Sequence, residues 1–88
     1  MARMEISMEQ AEQGTQMGAS DALFELGMLY ATGRDVDADL VVAHKWFNLA
    51  AARGNPSALA HRIELAQEMS VDQIAEAQKL AREWLQTH

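Results

Sequence analysis

Residues 20–33 read SDALFELGMLYATG, and 36 residues further on residues 56–69 read PSALAHRIELAQEM. The shared opening is Asp21-Ala22-Leu23 in one copy and Ser57-Ala58-Leu59 in the other. Each copy is followed by a second apolar run, in which Ala43 and Trp46 correspond to Ala77 and Leu80. A fixed period of this size marks a helical unit that cannot bury its apolar face alone and stacks on a neighbour. The expected fold is therefore all-α: antiparallel helix pairs stacked as a short α-solenoid of about two repeats. Four main helices are expected, together with a short N-terminal helix or a flexible segment in its place.

Composition agrees with that class. Eighty-eight residues make one small domain, whose stability is marginal because such a chain buries only about 60% of its unfolded surface. The good helix formers Ala, Leu, Met, Glu and Gln dominate, whereas there are four valines, three isoleucines, three threonines and one proline. With no cysteine in the chain, disulfides, cysteine-ligated zinc and thiol catalysis are excluded. No apolar run approaches the roughly 20 residues that span a bilayer. The N-terminal stretch has one arginine, three glutamates and no long apolar core, unlike a secretory signal. A cytoplasmic location with no membrane role is expected. The net charge is −6; residues 1–44 carry eight acidic and two basic side chains, and residues 45–88 carry five of each. An acidic chain argues against a nucleic-acid partner, which needs a basic face.

Local signals divide the chain into a segment at 1–18 and a repeat region at 19–88, with a first unit at 19–54 and a second at 55–88. In the first segment Met4, Met8 and Ala11 share one helical face, stopped by Gly14. Ser20 is the expected N-cap of the next helix, with Asp21 in its first turn. That helix should end at Gly33, and Gly27 inside it implies a close helix–helix approach. Asp37 or Asp39 caps a second helix, which stops at Gly54. Asn55-Pro56 restarts the chain, with the asparagine as cap and the proline at the first helical position. The third helix carries Leu59, Ile63, Leu65, Ala66 and Met69 as its apolar residues. Ser70 to Gln73 form a capping box for the last, which carries Ile74, Ala77, Leu80, Ala81, Trp84 and Leu85.

Ala22, Phe24, Leu26-Gly27, Tyr30, Gly33, Val36, Asp39, Ala43, Trp46-Phe47, Ala50-Ala51, Gly54 and Ala58 together resemble the SEL-one-like repeat family, a relative of the tetratricopeptide repeats. The resemblance covers one full unit. In the second unit the Leu-Gly pair is replaced by Arg62-Ile63, the tyrosine by Ala66, and the loop is shorter by two residues, so this unit resembles a terminal cap. The resemblance implies stacked helix pairs and a scaffolding role, with no catalysis and no cofactor. Small residues at Gly27, Ala43, Ala50 and Ala51 admit close approach, and Phe24, Tyr30, Trp46 and Phe47 fill the space between helices.

Candidate functional residues follow from that arrangement. The first helix of each pair should line the concave side, which makes Phe24, Met28, His61, Leu65 and Glu68 the expected contacts to a partner protein or peptide. The rival reading is a homodimer that covers the open ends of the stack. A metal-dependent enzyme is the remaining class: His44 and His61 on consecutive helices, with Glu64 one turn on, offer two histidines and a carboxylate. Placed outside a recognised site, these histidines read as surface or interface side chains, and the terminal His88 as a mobile one. Asp35, Asp37 and Asp39 alternate like the start of a calcium loop, but the required glycine and glutamate are replaced by Leu40 and Trp46. No metal ligand set, catalytic residue or phosphate-binding glycine loop is assigned.

Overall fold

The computed structural model describes residues 19–88, which form four helices and no strand. α1 covers residues 19–32, α2 Leu40–Ala52, α3 Pro56–Ala66 and α4 Val71–Thr87. Met4, Met8, Ala11 and the expected N-terminal helix lie outside the described residues.

Most boundaries follow from local chemistry. α1 ends where Gly33 takes a positive φ of 72°, its N–H donating to the Leu29 carbonyl at 3.0 Å. The Asp39 N–H donates to the Tyr30 carbonyl at 3.0 Å, folding the loop back on α1, and its Oδ1 accepts from the Val42 N–H at 3.1 Å. Asp39 and not Asp37 is thus the cap of α2. Gly54, at φ 97°, turns the chain after α2. Asn55 then caps α3 through the Ala58 N–H, with Pro56 at the first turn. Ser70 and Gln73 close a reciprocal capping box on α4. Two boundaries differ from expectation. Residue 19 is already helical, so Ser20 is not the N-cap of α1; it lies inside the helix and is buried. α3 ends at Ala66, and Met69 sits in the four-residue turn Gln67 to Ser70. That turn is three residues shorter than the seven-residue loop at 33–39.

The core is built around α2, whose Ala43, Phe47, Leu49 and Ala50 are all buried. Each large apolar side chain hidden this way contributes about 1.5–3 kcal/mol. α1 packs on α2 through Gly27, where a Cβ would collide with the Phe47 ring. α3 and α4 each pack on α2 as well, with far less contact between themselves. Ala77 and Ala81, one turn apart and both buried, bring α4 close to α2. Ala77 is thereby the buried counterpart of Ala43, as the repeat requires.

Candidate functional site

Phe24, Phe47 and His61 come from three different helices and meet as one ring cluster. The Phe24 ring stands edge-on to His61 at 5.1 Å and tilted to Phe47 at 5.7 Å, and Phe47 lies 5.4 Å from His61. The His61 Nδ1 is 2.8 Å from the Ser57 carbonyl one turn back, so that nitrogen carries the proton and donates. The Arg62 guanidinium donates to the Asn48 Oδ1 at 2.7 Å and joins α3 to α2 beside the cluster. Phe24 and Met28 are half-buried against the core. Glu68 is exposed in the turn after α3. Leu65 is the exception among the expected contact residues: only 8% exposed, it belongs to the core and is withdrawn from a contact surface. The helix register turns it towards α2, along with Ala58.

The motif residues that build the repeat fall mainly inside. Gly27, Ala43, Phe47 and Ala50 are buried, while Leu26, Tyr30, Trp46 and Ala51 are half-buried. Ala22 and Gly54 are exposed. Trp46 meets Trp84 edge-on at 5.9 Å, Lys45 Nζ lies 4.3 Å from the Trp46 ring centre, and the Arg53 guanidinium covers Trp84 at 5.6 Å. This α2–α4 contact was not expected from the residue pattern, which matched Trp46 with Leu80. His88, expected to be mobile, stacks on Trp84 at 4.3 Å, and the Trp84 carbonyl lies 3.0 Å from its Nδ1.

Comparison of the two units exposes a surface formed by two of the apolar residues carried by the third helix. Leu59 and Ile63 correspond to Leu23 and Gly27. Leu23 is 7% exposed, whereas Leu59 is 43% and Ile63 53% exposed. Gly27 admits Phe47 against the α1 backbone. The branched side chain of Ile63 occupies the equivalent space on α3, so a following helix cannot seat there, and α4 packs on α2 instead. The result is an uncovered apolar ridge one turn long on α3, with Leu85 also half-exposed on α4. The replacement of the glycine by Ile63 was the available sequence signal.

His44 and His61 do not make a surface pair. His44 is 3% exposed, and its Nδ1 has no hydrogen-bond partner among the described residues. Burial first, and then the positive charge of Arg62, hold its imidazole below the usual 6.5. Among the described residues no three His, Cys, Asp or Glu side chains converge as metal ligands. A second apolar surface lies on α1: Ala22, Leu26 and Leu29 line an open groove of about 620 Å³, with Glu25, Arg34 and Asp35 at its rim. Among the described residues no helix is long and apolar enough to cross a membrane.

Residues 20–55 match the family model of the Sel1 repeat. No curated protein and no solved structure gives a significant match. That segment is thus similar to the SEL-one-like repeats, helical repeats that generally mediate protein–protein interaction and are not themselves catalytic.

Proposed function

We propose that this Sel1-repeat chain is a small cytoplasmic adaptor that presents its second unit to a partner protein and performs no chemistry of its own. The observation that carries this reading is the uncovered Leu59–Ile63 ridge on α3. These residues stand one turn apart, the spacing at which a partner helix or peptide engages a helix face. The same positions are covered by the chain itself in the first unit, so their exposure in the second is specific to the divergent unit. His61 and Glu68, with Phe24 and Met28 from α1, supply further contacts beside it. The net charge of −6 favours a partner with basic flanks and disfavours nucleic acid.

A second reading is favoured by the exposure of Leu85 in addition to the ridge: two copies cover these residues mutually as a homodimer. Sedimentation over a concentration range separates the two, since a dimer dissociates on dilution and an adaptor stays monomeric. Affinity capture from the native cell with the unaltered chain and with Ile63→Asp tests the adaptor reading. A partner retained by the first and lost by the second, at equal helicity, is the expected result. Equal recovery with both removes the ridge from the binding surface.

A further inference from the structure

Pro56, Leu59, Ala60 and Ile63 are all exposed and follow the spacing i, i+3, i+4 and i+7 along one face of α3. Side chains at that spacing frame a hole into which a neighbouring helix inserts one large side chain. The small Ala60 keeps this hole open between Leu59 and Ile63, which are 43% and 53% exposed. With α4 packed on α2, no helix among the described residues fills it.

The charge beside the hole is of one sign. Glu64, in the last turn of α3, and Glu68, in the turn that follows, are both exposed. Arg62 is the only lysine or arginine of α3, and its guanidinium is bonded to Asn48 of α2. The last turn of α3 therefore has no basic side chain, although a helix C-terminus favours cations and disfavours carboxylates. A cation carried by a partner relieves that imbalance. From Pro56 to Ile63 the hole runs only about 10 Å along the helix. A stable dimer buries roughly 800 Å² on each subunit, so a single docked helix suits this strip better than a second copy of the chain does. Resting on the adaptor reading of the ridge, we infer that its partner is an amphipathic helix that inserts one large apolar side chain between Leu59 and Ile63 and sets Lys or Arg against Glu64 and Glu68.

Two synthetic peptides test this on the full chain. Both are about 18 residues long, alanine-rich so that they are helical, and carry leucine along one face. One has lysine along the adjoining edge and the other glutamate, and binding is read by the fluorescence anisotropy of a label on the peptide. The lysine peptide is expected to bind saturably, about tenfold more tightly than the glutamate peptide at low salt. Ala60→Leu fills the hole with a strong helix former and should weaken the lysine peptide about tenfold at unchanged helicity. Glu64→Lys with Glu68→Lys should reverse the order of the two peptides. These charges suit the end of a helix, so that variant keeps its fold. A lysine preference that survives the double substitution belongs to the net charge of the whole chain and overturns the inference. So does an Ala60→Leu protein that binds as well as the unaltered chain, a chain that binds neither peptide, or sedimentation showing the ridge covered in a concentration-dependent dimer. The ridge itself fails separately. An Ile63→Asp protein that binds the lysine peptide undiminished removes the ridge as a binding surface. Loss of binding in Ile63→Asp, with no discrimination between the peptides by the unaltered chain, keeps the ridge and overturns only its basic helical occupant.

Discussion

Gly27 is the residue on which the α1–α2 seam turns, because the Phe47 ring lies where any side chain would begin. Phe47 is fully buried and has no room to withdraw. Gly27→Leu is therefore expected to destabilise the fold by about 2–3 kcal/mol, read as a lowered urea midpoint. An unchanged midpoint would show that the seam is not tight. His44 makes an opposite kind of contribution. Its folded-state pKa lies below 6.5, so at mildly acidic pH the unfolded chain binds a proton that the folded chain does not. Stability is expected to fall as pH drops through 6.5 and to keep falling down to the folded-state pKa. His44→Leu should remove that component from the pH dependence of the thermal midpoint. It should be close to neutral at pH 7 and above, because it also removes a buried nitrogen with no partner among the described residues. Identical pH profiles for the two proteins would contradict the burial of this ring.

The helices themselves were largely legible from sequence, since their ends are written in short-range chemistry. Asp39, Asn55-Pro56 and Ser70-Gln73 each satisfy backbone N–H groups within three residues of themselves. Ser70→Ala or Asp39→Ala should cost about 1 kcal/mol each. For a domain of this size that is a fall of about 4–8 °C in Tm, measurable by circular dichroism. A Tm unchanged in both variants would mean that the caps are not formed in solution. The buried face of α3 was not legible in the same way. Leu59 and Ile63 keep helical spacing as well as Leu65 and Met69 do, and periodicity alone cannot rank them. What decides between them is where α4 goes, a tertiary matter settled by Ile63 in the glycine position and by the alanines of α4. For the same reason Leu65, expected on the binding surface, is in the core.

At the scale of the molecule, α2 serves both units: it closes the first against α1 and supports α3 and α4 of the second. The family pattern is complete only in the first unit, and the departures in the second leave apolar surface uncovered. A stack that holds together through α2 can leave part of α3 open without unfolding, which is the physical basis for reading that surface as a place for a partner. Ile63→Asp tests this most directly when stability and partner binding are measured on the same preparation. Because Ile63 is 53% exposed, its substitution should cost no more than about 1–2 kcal/mol of folding free energy, leaving the helices formed. Binding is expected to be lost in this stable variant. A partner held as tightly by the Ile63→Asp protein as by the unaltered one would contradict the assignment.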